Sequence, residues 1–288
     1  MRILLTGAKG FIGQNFSKLL QDKGHDVVEY CFQPFRPTNP DGSTKFPSLD
    51  GIDQVIHLGA WSSTTEQNVQ KVLDDNYEFS YKLLMMCCEA GIDMQYASSA
   101  SVYGSISKWH QIEENASEQP LNPYAWSKYL FDRVVQKSLS KLPIKVQGFR
   151  YFNVWGPYED MKGYQASLFH KWVKADKVIK VFKQSDLFYR DFIHVNDVFN
   201  LQYAMLESSE SGIFNVGTSI SKSILSLAED ISAKYDKPIE YIDMPVELLT
   251  HYQTYTCADN SKILQATGKE DYQFMTLEDV DSTLHAVP

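Results

Sequence analysis

With 288 residues, 43% of them hydrophobic, the chain can bury a sizeable core in one large domain or two interleaved ones, which excludes wholesale disorder. Its 36 Asp and Glu against 27 Lys and Arg leave a formal net charge of −9, which argues against a nucleic-acid or anionic-membrane surface. Apolar runs fall far short of the ~20 residues of a membrane span, the N-terminus shows no basic, apolar, small-residue signal order, and cytoplasmic residence is expected.

Residues 2–6 read as a buried strand and 7–10 as a turn. Ile12, Phe16, Leu19 and Leu20 then fall on one face of a helix that Gly24 ends. Residues 26–30 form a second strand, so the chain opens as the unit of a parallel sheet. Prolines at 34, 37, 40 and 47 make residues 31–51 a loop where a doubly wound sheet often has a strand and a helix. A strand follows at 54–59, then a helix over about 66–90 with Val69, Val72, Asn76, Phe79 and Leu83 on one stripe, and a strand at 93–98. Asn122 caps a helix with Pro123 in its first turn, running to about 139, and 144–150 is strand-like. From Gly156-Pro157 the sequence is more irregular. The expected fold class is α/β: a Rossmann-type doubly wound parallel sheet from residues 1–155 and about 192–216, with a small C-terminal substrate-binding lobe from about 156–191 and 217–288.

Cys31, Cys87, Cys88 and Cys257 form no CxxC pair, and the histidines form neither HExxH nor a Cys/His cluster. Reduced packing thiols and no metal are expected. Gly7, Gly10 and Gly13 lie between the first strand and the first helix. Glycines there let the backbone turn tightly and approach a pyrophosphate held at the helix N-terminus. Their spacing, GxxGxxG, is that of the extended short-chain dehydrogenase/reductases, which the chain resembles from this point on. The residue that reads the adenosine ribose should close the second strand, and here it is Cys31. A carboxylate is missing, while Arg36 and Lys45 follow in the loop, which favours NADP over NAD. Glu29, one pleat away, keeps NAD possible.

Tyr124 and Lys128 stand four apart and so share a helix face. A neighbouring ammonium should lower the phenol's pKa and let Tyr124 exchange a proton with a substrate hydroxyl as hydride leaves. Ser99, about 25 residues earlier at a strand end, would hydrogen-bond the reacting oxygen. A second YxxxK, Tyr158 to Lys162, follows Gly-Pro and reads as loop. Nucleotide-sugar 4,6-dehydratases carry Thr-Asp-Glu where this chain has Ser99-Ala100-Ser101, so dehydration is not expected. Asn76 interrupts an apolar stripe and needs buried partners.

Segments along nearly the whole chain narrow the match. They include His57 to Glu66 (HLGAWSSTTE), Pro120 to Lys128 (PLNPYAWSK), Gly148 to Pro157 (GFRYFNVWGP), Arg190-Asp-Phe192, Ser211 to Gly217 (SGIFNVG) and His251 to Thr256 (HYQTYT). They closely resemble the ADP-glyceromannoheptose 6-epimerase family, which inverts C6 of an ADP-heptose used for lipopolysaccharide core. The resemblance implies Tyr124 as one catalytic acid/base and Lys162 as the second, each serving one face of a transient ketone, with Lys128 on the nicotinamide ribose. It implies cofactor contacts from Phe11, Ile12, Leu58, Gly59, Ala60, Asn76, Lys128, Val154 and Lys162 besides the glycines. For the nucleotide-sugar substrate it implies Ser62, Asn153, His170, Phe182, Ser185, Arg190 and Tyr252, with Arg190 suited to a diphosphate. A homo-oligomer is also implied. The chain departs from the family at Trp61 and Tyr164, which replace smaller residues, and in the short 31–51 loop. Two alternatives stand beside this reading. One is a nucleotide-hexose 4-epimerase or ketoreductase that would not need Lys162; the other is a non-catalytic dinucleotide-binding regulator.

Overall fold

The computed structural model describes residues 1–31, 38–39, 41, 44–104, 111, 113, 118–246 and 252–276. Six parallel strands form the central sheet: β1 (Arg2–Thr6), β2 (Asp26–Tyr30), β3 (Gln54–His57), β4 (Asp93–Ser99), β5 (Val146–Tyr151) and β9 (Gly212–Val216), in the order β2-β1-β3-β4-β5-β9. Side chains alternate across it. Ile3 and Leu5 of β1 pack with Phe16 and Leu20 of α1 (Phe11–Asp22) and with Val198 and Phe199 of α6 (Val195–Ala204). Leu4 faces the other way, towards Leu83 and Leu84 of α3 (Phe79–Ala90) and Phe131 and Val135 of α4 (Pro123–Ser138). A sheet covered on both faces explains why its strands read as near-continuous apolar runs. Strand order reverses between β1 and β3, and ligands of such sheets bind beyond the C-terminal ends of the strands at that switch point.

The remaining strands form two small sheets. One is β10-β8-β6, from β6 (Asn153–Trp155), β8 (Tyr189–His194) and β10 (Ser221–Ser223); the other pairs β7 (Ile179–Phe182) with β11 (Ile239–Ile242). Trp155, Phe169, Trp172, Ile179 and Ile224 join them to α5 (Leu168–Lys174) and α7 (Ile224–Tyr235), and α8 (Ser261–Thr267) adds Ile263 to the main core.

Helices start where capping chemistry dictates. The Asn122 side chain accepts from Ala125 N at 2.9 Å with Pro123 in the first turn. The stretch expected as one helix from about 66 starts later and is not regular. After Asn68 caps α2 (Val69–Val72), a π-helical turn (Leu73–Glu78) leads into α3. Val69, expected on the buried stripe, is 51% exposed, because the helix begins with it at the rim of a shallow apolar groove shared with Leu121, Pro123 and Trp126. Among the described residues of 31–51 there is no helix, and Thr38 bridges Thr44. No described helix is long and apolar enough to cross a membrane.

Candidate active site

The glycine turn sits at the switch point. Gly7 has φ +72°, and a Cβ there would lie 2.6 Å from Gly59 N. A Cβ on Gly13 would lie 2.0 Å from Gly7 O, and one on Gly10 3.2 Å from the same oxygen. The three glycines therefore fold the turn onto itself and onto the Leu58-Gly59-Ala60 segment beyond β3. Gly59 N is anchored on Thr6 Oγ1 at 3.1 Å. The first turn of α1 carries no acidic residue, and Gly10 offers no side-chain cap to its amides. Such amides suit a diphosphate, so this cradle fits a dinucleotide.

At the end of β2, Cys31 stands beside the turn, its sulfur 3.3 Å from Lys9 N. Glu29, one residue before the end of β2, is exposed and accepts from Ser17 Oγ of α1 at 2.7 Å. The side chain of Lys45 is exposed, and its carbonyl accepts from the Tyr30 hydroxyl. Arg36 lies outside the described residues.

Asn76 sits in the π-turn and is only 2% exposed. Its Oδ1 accepts from Trp61 N at 2.7 Å, and its Nδ2 donates to Trp61 O at 3.0 Å and to Ser127 Oγ at 2.9 Å. One amide thus ties the segment after β3 to the helix that bears Tyr124. Ser62, next in that segment, is exposed, and Lys71 lies over the Trp61 ring, 3.0 Å from its centroid. Below, His57 bridges Thr6 Oγ1 at 2.6 Å and Ser80 Oγ at 2.8 Å. Burial, with Lys128 nearby, pushes its pKa down to about 3, so it is neutral.

Tyr124 and Lys128 rise from the first turns of α4 towards the end of β4. Lys128 Nζ donates to Ala97 O at 2.7 Å and lies 6.0 Å from the Tyr124 ring centroid. Burial lowers its pKa to about 8, and Asp132, one turn on, acts the other way. Ser99 Oγ accepts from Ser101 N at 3.2 Å and hydrogen-bonds Tyr124. The expected lowering of the Tyr124 pKa is not found. Burial raises it, the Ser99 bond only opposes that, and Asp132 raises it further. The sequence argument counted the lysine but not the desolvation.

Lys162 belongs to a short helical turn (Glu159–Gln165) that packs on the start of α1, with Gln14 Nε2 donating to Met161 Sδ at 2.8 Å. The Lys162 ammonium lies 5.2 Å from the Phe11 ring centroid, and burial lowers its pKa. Lys162 thus stands at the head of α1, whereas Tyr124 belongs to the first turn of α4. Ile12 and Val154 pack in the core cluster that holds Phe11.

Five of the seven residues expected to hold substrate gather in one group, while Ser62 and His170 lie outside it. Arg190 is buried, donates from Nη1 to Tyr189 O at 2.8 Å and from Nη2 to Gln253 O, and lies 5.1 Å from the Tyr252 ring centroid. Phe182 meets the same ring edge-on at 6.3 Å, and Ser185 Oγ donates to Phe182 O at 2.5 Å. Asn153 donates to Asp191 O and Thr256 Oγ1, both at 3.2 Å. His170 lies apart, its Nε2 3.1 Å from Asp160 Oδ1 on the Lys162 turn.

Sequence reasoning missed the buried charge cluster beneath α4. Arg150 Nε donates to Asp132 Oδ2 at 2.8 Å, Nη1 to the Tyr103 hydroxyl at 3.0 Å, and Nη2 to Glu118. Asp132 also accepts from Tyr96 at 3.0 Å and Ser98 at 2.9 Å. The one available signal was Asp132 at i+4 from Lys128, on the same helix face.

A model of the NAD dependent epimerase/dehydratase family matches residues 3–217. Among solved structures, the Helicobacter pylori ADP-L-glycero-D-manno-heptose-6-epimerase is 25% identical, with 96% of this chain and 92% of that one covered and a TM-score of 0.79. A Methanobrevibacter ruminantium UDP-N-acetylglucosamine 4-epimerase in complex with UDP-N-acetylmuramic acid superposes with a TM-score of 0.81 at 23% identity, covering 95% and 93%. A Streptomyces venezuelae dTDP-glucose 4,6-dehydratase with NAD bound gives 0.80 at 19% identity, covering 97% and 94%.

Proposed function

Because the chain belongs to the NAD dependent epimerase/dehydratase family, we propose that it inverts C6 of an ADP-heptose by transient oxidation and re-reduction with a bound NADP. The observation that carries this reading is the partly buried Lys162 beside Phe11 at the head of α1, a second titratable group apart from the hydrogen-bonded Tyr124–Ser99 pair. Inversion through a ketone needs a proton partner on each face, and a single tyrosine serves only one.

The nicotinamide of a bound dinucleotide would supply the hydride acceptor and, after the sugar turns over, the donor. The glycine turn and the α1 amides would hold its diphosphate, and Lys128 its ribose. Burial keeps the Tyr124 phenol protonated at neutral pH and makes the Lys162 ammonium easier to deprotonate than a solvated lysine. Lys162 is therefore suited to take the C6 hydroxyl proton from one epimer. Tyr124, steered by Ser99, is suited to protonate the ketone oxygen from the other face, and in the reverse direction the roles exchange. The Phe182–Arg190–Tyr252 group is suited to the sugar nucleotide, with the cation over the tyrosine ring and the aromatic edges lining its surroundings.

Proton NMR of ADP-D-glycero-D-manno-heptose with the purified chain tests this reading. The expected result is a mixture of both C6 epimers, and Lys162→Met lowers the rate by roughly 10²–10⁴-fold. No conversion with NADP and NAD both supplied would overturn the heptose assignment. Full activity of Lys162→Met on a UDP-hexose would instead identify a hexose 4-epimerase.

Cofactor choice follows from Cys31. In Cys31→Asp a carboxylate faces the ribose, accepts from a 2′-hydroxyl and repels a 2′-phosphate. The ratio of NAD to NADP affinity should rise about tenfold or more, a difference of about 1.4 kcal/mol, measured by titrating both dinucleotides. An unchanged ratio would remove residue 31 from cofactor selection.

A further inference from the structure

Glu159 is fully buried although it belongs to the short turn that carries Lys162. Its Oε1 accepts from Gly156 N and Ser167 Oγ, both at 3.0 Å, and its Oε2 from Ser167 N at 2.6 Å. Gly156 precedes the turn and Ser167 caps α5 after it, so one carboxylate staples both ends of the segment. Bonds from backbone amides to a carboxylate are stronger than those to a neutral acceptor, and a buried carboxylate is retained at a cost unless it is paired.

The second role of that charge is local. Burial disfavours the charged form of Lys162, Glu159 opposes this, and Lys171 of α5 adds to it. Glu159 acts in the same sense on Lys171 of α5, whose pKa burial lowers. Asp160 contacts His170 at 3.1 Å and Lys174 at 3.9 Å. From α1 the turn meets the Phe11 ring and Gln14.

We propose that Glu159 is the positioning residue for Lys162, stapling both ends of the short turn that carries it. This rests on Lys162 being the second proton-transfer group. The test is single-turnover dinucleotide reduction by the holoenzyme with each C6 epimer of the ADP-heptose separately. Glu159→Gln slows the half-reaction that Lys162→Met slows, by roughly tenfold or more, and moves its pH profile to lower pH, because Lys162 loses its proton more readily without the carboxylate. The half-reaction served by Tyr124 is little changed. Equal loss in both half-reactions, or an unmoved profile, would assign Glu159 a purely structural role. Should the Gln variant fail to fold, Glu159→Asp keeps the charge on a shorter arm. It should slow the same half-reaction with the pH profile in place, and a shifted profile or equal losses would overturn the proposal. Full activity of Lys162→Met would defeat the underlying reading and this one with it. Loss in Lys162→Met with none in Glu159→Gln would defeat the role of Glu159 alone.

Discussion

Replacing Tyr124 with Phe lowers kcat by about 10²–10⁴-fold while dinucleotide affinity is largely kept. The variant retains the ring and removes only the hydroxyl that bonds Ser99. Lys128 keeps its bond to Ala97 O, because that bond does not pass through the phenol. The Asn76 clamp is likewise untouched, since it grips Ser127 and the backbone of Trp61. The measurement is steady-state epimerisation beside a fluorescence titration with NADP. A rate loss below tenfold would take Tyr124 out of proton transfer. A parallel collapse of dinucleotide binding would mean that the hydroxyl matters for assembly rather than chemistry.

The second large effect falls on stability. Arg150→Met fills a similar volume but strands Asp132 and Glu118, both fully buried, without the guanidinium that pairs them. Breaking a buried ion pair from one side costs about 3–5 kcal/mol, which for a chain of this size lowers Tm by roughly 6–20 °C. The deficit depends on pH with a definite sign. Burial raises the Glu118 pKa and Arg150 opposes that rise, so losing Arg150 raises it further. A carboxyl that binds its proton more tightly folded than unfolded favours the folded state as pH falls through its folded pKa. The gap between variant and parent therefore narrows in mild acid. Thermal melts of both proteins at neutral and mildly acidic pH measure it. A constant gap, or none, would show that the cluster is not held as a charged network.

The strand–turn–helix opening, the capped start of α4 and the first five strands of the main sheet were legible because each is a local pattern, whereas β9 was read only as part of a stretch returning to the sheet. Ile12, Phe16 and Leu20 recur on one helix face, and Asn122-Pro123 is a helix start by its own chemistry. Tyr124 and Lys128 were legible for the same reason, being one helical turn apart. The Arg150 cluster was not, because its members lie on β4, α4, β5 and the segment before α4, and only the strand order brings them together. Glu159 was hidden in a stretch without periodicity; its partners Gly156 and Ser167 flank the turn and gave no pattern to read. The direction of the Tyr124 pKa needed the burial of its surroundings, which no spacing reports.

The π-turn around Asn76 makes this stretch of chain intolerant of changes in length. A π-turn holds one residue more than a regular helix would place there. Deleting a single residue between Leu73 and Glu78 would restore the ordinary pitch and remove the widened turn in which Asn76 sits. Asn76 could then no longer reach the Trp61 backbone and Ser127 together. The count of residues in the helix between β3 and β4 is what aims the amide that joins the segment after β3 to α4.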